Sequence, residues 1–80
     1  MTAGSEWRHE DEALVRELQF RDFKAALWFV NRVGELAEER NHHPDILIHG
    51  YNNVRLTLST HSAGGVTDAD HDLAMAIDAL

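Results

Sequence analysis

The only proline of the chain, Pro44, stands between a segment with helical periodicity and segments with strand periodicity. Proline disfavours helical backbone at the residue before it, so we expect the upstream helix to end near Arg40. Asp22 is a good N-cap for that helix, because its carboxylate can accept from the N–H groups of the first turn. Apolar residues at steps of three and four predict one stripe of the helix: Phe23, Ala26, Leu27, Val30, Val33, Leu36 and Ala37.

Alternation of apolar and polar residues predicts strands on both sides of this helix. The expected strands are residues 7–9, 13–20, 45–49 and 54–60, with an acidic turn at 10–12 and a turn at 50–53. After a flexible loop at 62–65, Thr67 is expected to cap a final helix, whose apolar stripe is Leu73, Ala74, Ile77 and Leu80. The order β-β-α-β-β-α predicts the α+β class, with a four-stranded antiparallel sheet and two helices packed on one face.

Eighty residues make one domain at most. We expect residues 1–6 to form a disordered tail and residues 7–80 to form a single domain. The chain has no cysteine, so disulfides cannot support the thin core of so short a domain, whereas a metal or oligomerisation can. Trp28 and Phe29 add apolar surface beyond the single stripe, which predicts a second buried face on this helix, such as a contact with a partner subunit.

The charge balance argues against two classes of partner. The chain carries seven basic and fourteen acidic residues, for a formal net charge of −7. Binding to a phosphate backbone or to an anionic membrane surface depends on Lys and Arg, so we expect neither nucleic acid nor membrane as a partner. No apolar run approaches the roughly 20 residues of a membrane span. The first residues lack the basic and apolar regions of a secretory signal, so a cytoplasmic location is expected.

Three histidines fall near the open end of the predicted hairpin. His42 and His43 precede its first strand, and His61 follows its second strand. If residues 51 and 52 form the loop, residue 44 faces residue 59 and residue 42 faces residue 61. Side chains directly opposite in antiparallel strands have Cβ atoms about 4.5–5.5 Å apart. The three imidazoles should therefore gather at one end of the sheet, and imidazole is suited to proton transfer near neutral pH.

Two other interpretations of these histidines stay open. A helix C-terminus favours cations, so a protonated His42 or His43 can simply stabilise the end of the helix. Two or three imidazoles with a carboxylate can also hold zinc. Adjacent residues diverge, however, and metal-binding pairs on helices prefer i, i+4 spacing, so we assign no metal site to this group.

Two carboxylates nearby also have alternative interpretations. Asp70 can complete a capping box with Thr67, or it can face the histidines. Glu38, one helical turn before His42, can orient an imidazole or be a solvated carboxylate. The remaining histidines are expected on the surface and are given no role: His9, His49 and His71.

Together these segments resemble the pterin-4a-carbinolamine dehydratase family. The resemblance is carried by Glu38-x-x-Asn41-His42-His43-Pro44, Tyr51-Asn52-x-Val54 and Leu58-Ser59-Thr60-His61, followed by a Gly-rich loop and Asp70. Upstream, Phe20-Arg21-Asp22-Phe23 and Asn31-Arg32-Val33 fit the strand-to-helix passage and long helix of that family. The similarity runs from about Trp7 to Leu80, and His-His-Pro combined with Thr-His is more specific than either fragment.

The resemblance implies a lyase that removes water from 4a-hydroxytetrahydropterin and gives quinonoid dihydropterin, in tetrahydrobiopterin recycling. Hydroxide leaves poorly unless an acid protonates it, and imidazoles can supply and accept the protons without a metal or an organic cofactor. The implied catalytic residues are His42, His43 and His61, with His42 and His61 as the acid/base pair. The implied substrate-binding residues are Asn41, His42, His43, Ser59, Thr60, His61 and Ser62. By the same pattern, Glu38 and Asp70 orient the imidazoles.

The resemblance further implies a pterin substrate and a homodimer or homotetramer whose sheets join edge to edge. This chain departs from the family in two ways. We expect it to lack the further helix that many members carry before the Trp7 region, and Ile46 stands where an aromatic residue is common. The alternative function is a non-catalytic pterin-binding module, or a protein-assembly or dimerisation module, of the same fold. Modules of that kind tend to lose one of the three histidines, and all three are present here.

Overall fold

The computed structural model describes residues 7–80 and contains four strands and two helices in the order β-β-α-β-β-α. The elements are β1 Arg8–Glu10, β2 Ala13–Gln19, α1 Phe23–Arg40, β3 Asp45–His49, β4 Asn53–Leu58 and α2 Asp68–Asp78, with a 3-10 turn at His61–Ala63. The predicted fold class is confirmed, with strand ends displaced by one or two residues. The tail predicted for residues 1–6 lies outside the described residues.

The sheet is antiparallel throughout and has the strand order β1-β2-β4-β3. β2 pairs with β4 along its length, from Leu14 opposite Leu58 to Gln19 opposite Asn53. Alternate residues of these two central strands point to the helical side and are buried there with apolar residues of α1 and α2. The core consists of Leu14, Leu18, Ala26, Phe29, Val33, Val54, Leu56, Leu58, Leu73, Ala74 and Ile77.

Helix α1 begins and ends where the sequence predicts. The Asp22 carboxylate accepts from the Ala25 N–H at 2.8 Å, which satisfies an amide of the first turn. Asn41 follows the last helical residue in the left-handed region, at φ 50° and ψ 43°. Asparagine tolerates this conformation better than most residues. The reversal closes the helix, and the His42 N–H then donates to the Ala37 carbonyl at 3.1 Å. The two histidines are thereby fixed at the end of the helix.

The hairpin register predicted from the sequence is wrong by one residue. His49 pairs with Asn53 and Asp45 pairs with Thr57, so the turn has three residues, 50–52, instead of two. Gly50 and Tyr51 both have positive φ, at 54° and 57°. Asn52 is held in the turn because its side chain donates to the Phe20 carbonyl at 2.8 Å. Because β4 ends at Leu58, strand pairing does not extend to the histidines, and they must be brought together by the backbone outside the strands.

The expected second apolar face on α1 is only partly present. Phe29 is buried in the core of its own chain, where its ring lies 5.1 Å from that of Phe20. Trp28 is 60% exposed, and Phe23 and Leu27 are exposed near it. The unburied apolar surface of α1 therefore excludes Phe29.

Within residues 7–80, neither helix combines the length and apolar character of a membrane span.

Candidate active site

The C-terminal end of α1 and the segment after β4 enclose a shallow depression of about 350 Å³. Residues 41–43 form one wall, and residues 59–62 form the other. All seven residues predicted to bind substrate therefore line one concavity. Two backbone hydrogen bonds between Thr60 and Gly65, of 2.8 and 3.3 Å, turn the chain after β4. This turn, together with the 3-10 turn that begins at His61, gathers the histidines where strand pairing does not.

His42 is held by a buried carboxylate. Its Nε2 lies 2.5 Å from Oδ1 of Asp70, whose side chain is fully buried at the start of α2. Only 18% of the His42 side chain is exposed. An ionised carboxylate can only accept hydrogen bonds, so Nε2 carries the hydrogen, and the other ring nitrogen, Nδ1, has no hydrogen-bond partner among residues 7–80.

Asp70 has both of the roles that the sequence left open, since it caps α2 and also contacts a histidine of the site. Its Oδ2 accepts from the Thr67 backbone N–H at 2.9 Å, and the two residues form the capping box of α2. The same oxygen accepts from the Thr60 hydroxyl at 2.8 Å. Burial alone raises the pKa of the Asp70 carboxyl, but hydrogen bonds from His42, Thr67 and Thr60 outweigh burial and lower it below its ordinary value. Asp70 is therefore an anion at neutral pH, despite lacking solvent contact.

His43 is held at the rim by a different carboxylate. Its Nε2 lies 2.5 Å from Oε2 of Glu38, which precedes it by five residues near the end of α1. The two side chains are 56% and 78% exposed, so water screens their attraction strongly. Glu38 thus has both properties considered for it, since it is solvated and also contacts an imidazole.

His61 differs from the other two histidines in its surroundings. It is exposed and begins the 3-10 turn that follows β4. No side chain among residues 7–80 forms a hydrogen bond or ion pair with its imidazole. Both ring nitrogens of His61 are therefore free to exchange protons with a molecule in the depression.

Thr67 is a site contact that sequence reasoning missed. It was predicted only as a helix cap, yet its hydroxyl lies 2.8 Å from the Thr60 hydroxyl on the far side of the Gly-rich loop. It thereby joins the start of α2 to the wall of the depression. Its capping-box spacing to Asp70 is the signal that links it to the site.

Among residues 7–80, no group of three or more histidine, aspartate or glutamate side chains is arranged to hold a metal ion.

Comparison with known proteins identifies the family. A family model described as pterin 4 alpha carbinolamine dehydratase matches residues 1–80. This chain belongs to that family. A relative from Thermomicrobium roseum, named "Putative pterin-4-alpha-carbinolamine dehydratase", is 56% identical over 68 residues, which cover 85% of this chain and 72% of the relative. The family resemblance expected from the sequence is thus confirmed.

Two solved structures share the fold of this pterin dehydratase family member. A transcriptional coactivator/pterin dehydratase from Brucella melitensis superimposes with a TM-score of 0.85 at 39% identity, covering 91% of this chain and 79% of its own. A pterin dehydratase-like protein described as a RuBisCO assembly factor in the alpha-carboxysome gives a TM-score of 0.73 at 22% identity, covering 94% and 86%. The second likeness shows the fold alone.

Proposed function

We propose that this protein removes water from a 4a-hydroxytetrahydropterin and releases quinonoid dihydropterin, by histidine general acid/base catalysis. The observation that supports this most is the gathering of three imidazoles on one depression of about 350 Å³. Small-molecule sites usually fall between about 300 and 1,000 Å³, so the depression is of a size for a bicyclic ring. The substrate belongs to tetrahydrobiopterin recycling in this proposal, and the protein works in the cytoplasm.

The reaction moves two protons. As the bond between C4a and the hydroxyl oxygen breaks, an imidazolium donates a proton to that oxygen, which leaves as water. The electron pair on N5 forms the new double bond to C4a, and the N5 hydrogen passes to a neutral imidazole. No oxidant or reductant is consumed, and no metal or organic cofactor has a role. General acid/base catalysis of this kind typically contributes ~10²–10⁴-fold in rate.

His42 and His61 carry the two proton transfers in this scheme. Asp70 fixes the tautomer of His42, so proton exchange with the pterin takes place at Nδ1. His61 has no competing side-chain partner among residues 7–80, which suits an acid or base that must reach the substrate. Which of the two acts as acid can differ between stereoisomers of the substrate.

The remaining lining residues hold the pterin. His43, fixed at the rim by Glu38, contacts the ring and positions it. The pyrimidine edge of a pterin carries amide-like donors and acceptors. Amide and hydroxyl groups that can match them are provided by Asn41, Ser59, Thr60 and Ser62.

We also propose that the protein acts as a homodimer or homotetramer. β3 is an edge strand, and its outer backbone groups have no partner strand in residues 7–80. Ile46 and Leu47 on this strand are exposed, as are Leu27 and Trp28 on α1. A second copy that pairs along β3 satisfies the backbone groups and covers part of this apolar surface.

A non-catalytic module is the second candidate function. The Brucella structure is described both as a transcriptional coactivator and as a pterin dehydratase, so one related protein is linked to protein contacts. The exposed Trp28 on α1 is a feature of this chain that suits such contacts. In that case the histidine depression binds a pterin, or nothing, without turnover.

The deciding experiment measures dehydration of a freshly generated 4a-hydroxytetrahydropterin by purified protein, against the uncatalysed rate. We expect clear acceleration, a loss of at least about 100-fold in kcat/KM for His42→Ala and for His61→Ala, and full activity for His49→Ala, an exposed histidine on β3. A wild-type rate equal to the uncatalysed rate contradicts the dehydratase and leaves the binding module. Full activity in both site variants contradicts the residue roles.

A further inference from the structure

A second cleft lies at the β1 edge of the sheet, between β1 and helix α2. Its volume is about 270 Å³, and it shares no lining residue with the candidate active site. Trp7 and His9 line it from the sheet side, and His71, Met75 and Asp78 line it from α2. His9 and His71 have no part in the proposed dehydration, so the cleft is a separate feature of this chain.

The two imidazoles face one another across this cleft. The ring centres of His9 and His71 are 6.3 Å apart, and the ring planes meet at 52°. A metal–imidazole bond is about 2 Å long and the ring centre lies roughly 1 Å beyond the nitrogen, so two imidazoles on one ion have centres about 5–6 Å apart. The observed separation of 6.3 Å lies just outside that range, and both side chains are exposed.

Met75 completes a set of three potential ligands. It follows His71 by four residues on α2, so the two side chains are neighbours on one helix face. Its side chain lines the cleft and is 71% exposed. The cleft thus presents two imidazole nitrogens and one thioether sulfur.

One oxygen of the neighbouring carboxylate, that of Asp78, is already engaged. Asp78 Oδ1 accepts from the Arg16 guanidinium at 2.5 Å and from the Trp7 indole N–H at 2.9 Å. Asp78 is the one carboxylate that lines the cleft, whereas a hard divalent cation prefers several oxygen ligands. The absence of any metal-holding histidine and carboxylate group within residues 7–80 agrees with this. The third donor available is sulfur.

We propose that His9, His71 and Met75 bind one soft monovalent cation, Cu(I). Imidazole and thioether ligands together favour Cu(I) over Mg²⁺, Ca²⁺ and Mn²⁺. The Trp7 indole lines the same cleft, and the face of an indole attracts a cation placed over it. The formal net charge of −7 also favours a cation.

The test is an anaerobic titration of the full chain with Cu(I), in competition with a chromophoric Cu(I) chelator, repeated with Ag(I) as a redox-inert substitute. We expect one ion per chain. His9→Ala and His71→Ala should each weaken binding at least tenfold. Met75→Leu, which keeps the apolar volume, should weaken Cu(I) and Ag(I) binding but leave the weaker binding of Ni(II) by the two imidazoles unchanged. In a Trp28→Phe background, the ion should change the fluorescence of Trp7.

The controls separate this cleft from the other histidines. His49→Ala and His61→Ala should bind Cu(I) as tightly as the wild type, and circular dichroism should show every variant folded, since the substituted side chains are exposed. The proposal is overturned by binding that survives in the His9→Ala, His71→Ala and Met75→Leu variants, by binding that His61→Ala abolishes, or by wild-type binding no tighter than that of the triple variant.

Discussion

At the scale of single residues, Asp70 does the most to join fold and site. One of its oxygens contacts His42, and the other accepts from Thr60 and Thr67. The sequence could not decide between a capping and a site role, because capping-box spacing reports only on neighbours along the chain. The approach of α2 to the end of α1 supplies the second contact, and no local pattern encodes that approach.

Replacing Asp70 by Asn should reduce turnover and stability together. The amide keeps the shape but removes the charge beside His42, so we expect kcat to fall at least about 100-fold, with the pH profile of kcat/KM changed. Weakening of the helix cap should lower the free energy of unfolding by about 1 kcal/mol, measured by urea denaturation. Asp22→Ala is the matched control, because it removes the cap of α1 and should cost similar stability without changing kcat. Equal kcat for Asp70→Asn and wild type would show that the contact with His42 is only structural.

At the scale of elements, the sequence predicts the existence and order of strands and helices better than their register. The turn predicted at residues 50–53 contains Gly50, Tyr51 and two asparagines, and asparagine tolerates positive φ better than tyrosine. Instead Tyr51 takes φ 57°, because the Asn52 side chain donates to the carbonyl of Phe20, the residue that follows β2. That hydrogen bond joins residues 32 apart, so turn chemistry alone gives a two-residue loop and a register wrong by one.

Two substitutions in this turn should have opposite effects on stability. Tyr51→Asn places a residue that tolerates positive φ where a bulky one stands, and Tyr51 is 64% exposed, so we expect about 0.5–1 kcal/mol of stabilisation. Gly50→Ala should destabilise by about 1–2 kcal/mol, because φ is 54° there and an added Cβ would lie 2.9 Å from the Asn53 amide. Thermal and urea unfolding measure both. A lower stability for Tyr51→Asn would mean that the Tyr51 ring packs more than its exposure indicates.

At the scale of the whole molecule, a partly buried ion pair connects regions far apart in the chain. Arg16 is only 3% exposed beneath α2, and its Nη1 lies 2.5 Å from Asp78 Oδ1. Asp78 also accepts from Trp7, so one carboxylate ties the first described residue and β2 to the end of α2. Alternation along β2 places Arg16 on the inner face between Leu14 and Leu18, but it does not identify a partner 62 residues away.

Removing one partner of this pair should be costly. Asp78→Ala leaves the Arg16 guanidinium buried without its carboxylate, and we expect a loss of about 3 kcal/mol in the free energy of unfolding. The double variant Arg16→Met with Asp78→Leu removes both charges and should recover most of that loss. Urea denaturation of the single and double variants makes the comparison. If both single variants, Asp78→Ala and Arg16→Met, unfold like the wild type, the pair does not contribute to holding α2 on the sheet.

The double duty of Asp70 has an evolutionary consequence. Under the proposed function, selection acts on Asp70 twice, through catalysis and through the need to start α2, whereas it acts on the exposed His61 through catalysis alone. In a descendant without catalytic activity, the loss of His61 would therefore be tolerated more readily than the loss of Asp70. Retention of the aspartate in such a descendant would therefore say little about whether it still turns over a pterin.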